Sequence, residues 1–113
     1  MRRFERLAHW MLAAALSLAT GYAEAQEAPN KGQGYALAQR VCAECHAIDK
    51  VTASSPNSAA PRFDTIANSP GMSQIALTVA LQTSHRTMPN IMLDGAALRD
   101  ITDYILSLKK AGG

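Results

Sequence analysis

The apolar residues of this chain recur at intervals of three and four, the spacing of one face of an α-helix. The pattern predicts an amphipathic helix over residues 34–45, a second helix over 72–82 and a last helix over roughly 95–110. The predicted apolar stripe of the second helix comprises Met72, Ile75, Ala76, Val79 and Ala80. Asp94 precedes the last helix and is a suitable N-cap. No alternation of apolar and polar residues predicts a strand. We therefore expect an all-α domain. The predicted buried stripe of the last helix comprises Leu98, Ile101, Ile105 and Leu108, with Tyr104 beside it.

The segments between these helices contain the residues that break helices. Residues 26–33 are predicted to be a frayed start, and residues 47–61 an extended loop rich in serine and proline. Residues 63–67 suggest one short helical turn. Ser69-Pro70-Gly71 is predicted to end this turn. Ser69 is the expected N-cap of the next helix, and Pro70 its first residue. Residues 83–93 are predicted to be a loop.

The first 25 residues have the pattern of a secretory signal peptide. Three arginines stand within the first six residues, residues 11–22 carry no charge, and Ala23-Glu24-Ala25 offers small residues for cleavage before Gln26. The alternative is an uncleaved membrane anchor, for which the apolar run is short, because a span needs roughly 20 apolar residues. We expect a signal peptide at 1–25, a mature domain at 26–113 without a membrane span, and export to the periplasm of a bacterium.

The composition of residues 26–113 excludes some function classes. The segment has 8 Lys and Arg against 7 Asp and Glu, so it offers no basic surface for nucleic acid. A domain of 88 residues buries little apolar surface and often needs a covalent or cofactor staple. Its two cysteines stand three positions apart, and a disulfide across that spacing closes too small a loop to restrain the unfolded chain. Another staple is therefore expected.

The sequence Cys42-Ala43-Glu44-Cys45-His46 is the decisive motif, because Cys-x-x-Cys-His is the attachment signature of c-type haem. On a helix, positions i, i+3 and i+4 share one face. Cys42, Cys45 and His46 would therefore point the same way. The two sulfurs would form thioethers with one covalent haem c, and His46 would bind its iron as the proximal ligand.

Three other readings of this motif compete. A thioredoxin-like dithiol also uses Cys-x-x-Cys, but in a strand–helix context that is not predicted here. A structural zinc site needs four ligands, which Cys42, Cys45, His46 and His85 would have to supply. A chance match in a helical protein is the third reading.

The far side of the iron has several candidate ligands. Met88 is favoured, because Pro89 stiffens the chain that carries it. Met92 is the second choice, and Met72 is expected to fill the core. His85 would give a bis-histidine haem but is expected to be an exposed loop histidine. An empty sixth position is the remaining alternative.

A ligating histidine usually donates its second ring N–H to a carbonyl group, which fixes its tautomer. Pro56 and Pro61 both offer a carbonyl in the loop after the motif, and Pro61 is preferred. The neighbouring Arg62 is expected to be a solvated charge.

In these residues the chain resembles the class I (mitochondrial-type) c-type cytochromes, in a small bacterial monohaem form. Gly34 matches the glycine that lets the first helix cross the last, and Met88-Pro89 matches the axial methionine loop. Tyr104 matches the aromatic residue at the crossing. The resemblance implies about four helices wrapped around one covalent haem. It also implies a one-electron carrier with His/Met ligation.

Three functions remain open from the sequence. The first is a soluble electron shuttle that is not an enzyme and works between redox proteins, such as a periplasmic dehydrogenase and a terminal oxidase or reductase. Such a shuttle would be a monomer or would form transient complexes. The second is a haem enzyme or gas-binding sensor with an open sixth site. The third is a dedicated cytochrome subunit of one periplasmic dehydrogenase.

Overall fold

The computed structural model describes residues 27–112, so the predicted signal peptide at 1–25 lies outside the described residues. The described chain forms four helices with no strand among them, and its one isolated backbone bridge joins His85 and Met88. The prediction of an all-α domain is therefore confirmed. In chain order the helices are α1 (Lys31–Val41), α2 (Phe63–Ala67), α3 (Gln74–Gln82) and α4 (Gly95–Ser107).

Helix α1 begins earlier than the sequence predicts, within the segment expected to be frayed. Asn30 caps it, because its side-chain oxygen accepts hydrogen bonds from the N–H groups of Gly32 (3.0 Å) and Gln33 (3.2 Å). The backbone N–H of Asn30 also donates to a carboxylate oxygen of Asp100 at 2.8 Å. The start of α1 is therefore tied to α4, seventy positions further along the chain.

The start of α3 was predicted two residues too early. Ser73 is its N-cap and accepts from the N–H of Ala76 at 3.2 Å. The expected cap, Ser69, instead donates its hydroxyl hydrogen back to the carbonyl of Thr65 at 3.0 Å. Gly71 follows with φ of 74°, a left-handed conformation that ends the preceding turn.

The boundaries of α4 match the prediction at one end only. The Asp94 carboxylate accepts from the N–H of Ala97 at 2.8 Å, which confirms the predicted N-cap. The helix ends at Ser107, three residues before the predicted end at Lys110. Its predicted apolar stripe is buried, as is the adjacent Tyr104.

Helices α1 and α4 cross so closely that only a glycine fits at the contact. A Cβ atom on Gly34 would lie 2.6 Å from the carbonyl carbon of Asp100 and 2.7 Å from Cβ of Tyr104. It would lie closer still to the carbonyl oxygen of Asp100. The predicted role of Gly34 at a crossing of the first and last helices is therefore confirmed.

Tyr104 links this crossing to the loop that follows the Cys-x-x-Cys-His motif. Its ring centroid lies 5.3 Å from that of Tyr35, and its hydroxyl donates to the carbonyl oxygen of Ile48 at 2.7 Å. The side chain is only 8 % exposed, and loss of hydration raises the pKa of its hydroxyl. The helix crossing and the loop are therefore held together by one buried hydrogen bond.

We expect Tyr104→Phe to lower the free energy of unfolding by about 1–2 kcal/mol, because the buried Ile48 carbonyl loses its donor while the ring packing stays. Denaturant unfolding of the haem-loaded protein measures this change. Tyr35→Phe is the matched control, since the Tyr35 hydroxyl only accepts a hydrogen bond from Gln39 Nε2 (3.1 Å) at the surface. We expect a change below about 0.5 kcal/mol for the control. Equal losses in the two variants would contradict the proposed role of the Tyr104 hydroxyl.

Helix α3 packs on α4 through a face different from the predicted apolar stripe. Leu77 is the buried residue of this helix, whereas Ile75 is 78 % exposed and Val79 is 58 % exposed. The stripe proposed from the sequence through Ile75 and Val79 is therefore not the face that joins the protein core.

No helix among residues 27–112 is both long enough and apolar enough to cross a bilayer.

Candidate functional site

The Cys-x-x-Cys-His motif forms a tight turn that continues directly from α1. The helix ends at Val41, and Cys42 is its C-cap with helical backbone angles. The N–H groups of Cys45 and His46 both donate to the carbonyl oxygen of Cys42, at 3.1 and 2.9 Å. The motif was predicted to lie on the helix itself, but it occupies the following turn. That turn retains helical hydrogen bonding through His46.

The two cysteines are partly buried and do not form a disulfide with each other. Cys42 packs against the protein core, and burial raises the pKa of its thiol to about 11. A dithiol that catalyses disulfide exchange instead needs a thiolate stabilised near neutral pH. The strand–helix context that the thioredoxin-like reading requires is also absent, because residues 27–112 form no strand.

The zinc reading requires several ligands to converge on one point. Within residues 27–112 no group of three or more His, Cys, Asp or Glu side chains is arranged to hold a metal ion. His85, the fourth ligand in that reading, is exposed and directs its Nε2 to the carbonyl oxygen of Ala80 at 2.7 Å. This contact matches the expected exposed loop histidine.

The imidazole of His46 is oriented by the loop that follows the motif. Its Nδ1 lies 2.6 Å from the carbonyl oxygen of Pro61, the carbonyl preferred from the sequence over that of Pro56. A carbonyl oxygen only accepts hydrogen bonds, so Nδ1 carries the proton and Nε2 keeps its lone pair in the neutral ring. The ring centroid of Phe63 lies 5.4 Å away and limits rotation of the imidazole.

Arg62 holds this loop in place, and the prediction that it is a solvated charge was wrong. Its guanidinium group binds both carboxylate oxygens of Asp64, at 2.9 and 3.1 Å, and also donates to the carbonyl oxygen of Thr52. The hydrogen bonds from Arg62 hold the pKa of Asp64 below its usual range. The N–H of Thr52 donates in turn to Asp49 at 2.7 Å. The Arg-x-Asp spacing was the only local sign of this network.

The three candidate methionines occupy different environments. Met88 is partly buried in the turn between α3 and α4, where its N–H donates to the carbonyl oxygen of His85 at 3.4 Å. Met92 is 94 % exposed. Met72 packs against the core just before α3, which matches its expected role as a core residue.

The donor set fits a covalently attached haem. Two cysteines stand three positions apart on one helical turn, and the next residue presents an imidazole whose Nε2 lone pair is left for iron. Leu37, Ala43 and Ile66 are partly buried apolar residues that pack against the core. An apolar cofactor attached here would extend the small core formed by the helices.

Comparison with known proteins points to the same chemistry. The chain is 34 % identical over 82 residues to cytochrome c-552 of Bradyrhizobium diazoefficiens, a match that covers 73 % of this chain and 78 % of that protein. No family model matches the chain, and no solved structure matches it. At this level of identity and coverage the relationship establishes the family. The chain belongs to the c-type cytochromes, electron-transfer proteins that carry iron in a covalently bound haem c.

Proposed function

We propose that this protein is an exported one-electron carrier with a single haem c, attached through Cys42 and Cys45 and ligated by His46 and Met88. One observation carries the proposal. Directly after the partly buried Cys45, the turn presents the imidazole of His46, whose Nδ1 is held by Pro61 and whose Nε2 lone pair is left for iron. When bound, the haem iron supplies the redox change of one electron between the ferrous and ferric states.

His46 would serve as the proximal ligand through Nε2. Its hydrogen bond to the Pro61 carbonyl fixes the ring tautomer and makes Nε2 more basic, which strengthens its bond to a metal. The ion pair of Arg62 and Asp64, one and three positions after Pro61, stiffens the loop that supplies this carbonyl. The orientation of the imidazole is therefore set by the fold before any electron is exchanged.

Met88 would serve as the distal ligand. The following Pro89 fixes its own φ and lacks a backbone donor, so the chain around the thioether has few conformations. The partial burial of Met88 supports this choice over Met92, whose side chain lies almost entirely in solvent. A thioether ligand favours the reduced iron and raises the reduction potential.

We expect Met88→Ala to remove the sulfur-to-iron charge-transfer absorption of the oxidised protein, because its thioether is the proposed source of that band. The reduced variant should also gain carbon monoxide binding, which the wild type should lack. Met92→Ala is the matched control and should retain the wild-type spectrum. An unchanged spectrum in Met88→Ala would contradict the assignment of this ligand. Carbon monoxide binding by the wild type would instead support a gas-binding or catalytic haem with an open sixth site.

We further propose that residues 1–25 direct the protein to the periplasm, where its partners are redox proteins such as a dehydrogenase and a terminal oxidase or reductase. Three early arginines, an uncharged stretch over 11–22 and small residues at 23 and 25 support export. The nearly balanced charge of residues 26–113 gives little long-range steering. Brief contacts over small interfaces are therefore expected with these partners.

A further inference from the structure

We propose that His85 is a positioning residue for Met88: its ring fastens the loop that carries the methionine to the end of α3. The inference rests on the proposed function, in which Met88 is an iron ligand. His85 does not touch the metal in this arrangement. It acts by limiting where the thioether of Met88 can go.

The first contact that supports this role lies at the C-terminal end of α3. The last carbonyl groups of a helix have no partner within the helix and must find one elsewhere. The Val79 carbonyl accepts the hydroxyl hydrogen of Thr83 at 2.6 Å. The Ala80 carbonyl accepts the Thr83 N–H at 3.3 Å and the His85 Nε2–H at 2.7 Å. The shortest bond to Ala80 therefore comes from a residue that has already left the helix.

The second contact connects His85 to Met88. The N–H of Met88 donates to the carbonyl oxygen of His85 at 3.4 Å, and the two residues form the isolated backbone bridge of this segment. A continuous path thus runs from the Ala80 carbonyl through the His85 ring and the His85 backbone to Met88. The imidazole is its only side chain.

The chain beyond Met88 is held by packing, since Leu93 lies against the core, and not by hydrogen bonds. Among the described residues, no hydrogen bond involves residues 89–93, and Pro89 has no N–H to donate. The next hydrogen-bonded residue is Asp94, at the start of α4. Since the hydrogen bonds that hold Met88 lie on the His85 side, loss of that anchor should let the thioether of Met88 leave its position more often.

A thioether is a weak ligand whose occupancy depends on how well the loop is held in the bound conformation. Added imidazole competes with it for iron, so the apparent dissociation constant of imidazole measures how firmly Met88 is held. One hydrogen bond of ordinary net strength changes such a constant by roughly five- to tenfold. Imidazole should therefore bind more tightly when the His85 anchor is removed.

The test is a titration of the oxidised, haem-loaded protein with imidazole. Binding of imidazole is measured as loss of the sulfur-to-iron charge-transfer absorption. We expect His85→Ala to lower the apparent dissociation constant about five- to tenfold. His85→Gln keeps a side-chain N–H donor and should stay within about twofold of the wild type. Thr87→Ala, an exposed substitution in the same turn, is the matched control and should not change the constant. Chemical unfolding of each variant separates this local effect from a loss of global stability.

Two results would overturn the inference: an unchanged apparent dissociation constant of imidazole in His85→Ala, or a constant in His85→Gln equal to that in His85→Ala.

The wild type offers a second measurement that does not require a folded variant. In the reduced protein, nitrogen NMR of neutral His85 should show the proton on Nε2, and a proton on Nδ1 would contradict the Ala80 contact. A wild type without the charge-transfer absorption would reject Met88 as ligand, and this inference with it. A wild type with that absorption but no effect of His85→Ala rejects the inference alone.

Discussion

Replacing both Cys42 and Cys45 by alanine is expected to yield a chain that retains no haem on a denaturing gel and has no cooperative unfolding transition. Thioethers survive denaturation, whereas a haem held only by His46 and Met88 is lost when the chain unfolds. The described core is small, and both Ile75 and Val79 of α3 lie exposed outside it. The apolar surface of a bound haem would therefore supply a large share of the burial that stabilises this fold.

Haem staining of a denaturing gel and far-ultraviolet circular dichroism during heating measure these two effects. Each single alanine variant keeps one thioether and should retain stain, with lower stability than the wild type. Glu44→Gln changes an exposed residue between the two cysteines and is the matched control, expected to stain and unfold like the wild type. A haem-free double variant that melts as cooperatively as the wild type would show that the helices need no cofactor.

Gly34→Ala is expected to destabilise the protein by about 3 kcal/mol, because the new methyl group would overlap the backbone at Asp100 and force α1 and α4 apart. Gly32→Ala is a matched control in the same helix. Its Cβ would meet only the side-chain oxygen of Asn30, at 3.3 Å. The better helix propensity of alanine should offset this contact, leaving a change within about 1 kcal/mol.

Guanidinium-induced unfolding, followed by circular dichroism and by haem absorbance, gives the free energy of unfolding for both glycine variants. The two signals should shift together in Gly34→Ala, because the same helix crossing supports the turn that carries the cysteines. Equal stability of the two variants would contradict the close approach of α1 and α4 at Gly34.

The features that the sequence predicted correctly are those encoded by neighbouring residues. Asp94 caps α4 through an N–H three positions away, so its role is visible in a short window. The Cys-x-x-Cys-His spacing likewise defines a single turn, whatever surrounds it. Gly34 and Tyr104 were placed through their resemblance to a known family, because the crossing itself involves residues far apart in the chain.

The features that were missed depend on contacts between distant segments or on an ambiguous pattern. The early start of α1 is stabilised by Asp100, a residue of the last helix. Arg62 finds Thr52 only after the intervening loop has folded. Six of the seven residues from Ile75 to Leu81 are apolar, so periodicity alone did not distinguish the buried Leu77 from the exposed Ile75.

The hydrogen bond between His46 and Pro61 also bears on how the protein is made. The proposed attachment residues all lie within positions 42–46, so they are neighbours in the chain before any tertiary structure forms. The carbonyl that sets the imidazole tautomer lies 15 positions further on and arrives only when that segment has packed. The five residues of the motif would therefore suffice for the proposed tethering, whereas the orientation of His46 requires the chain to be folded as far as Pro61.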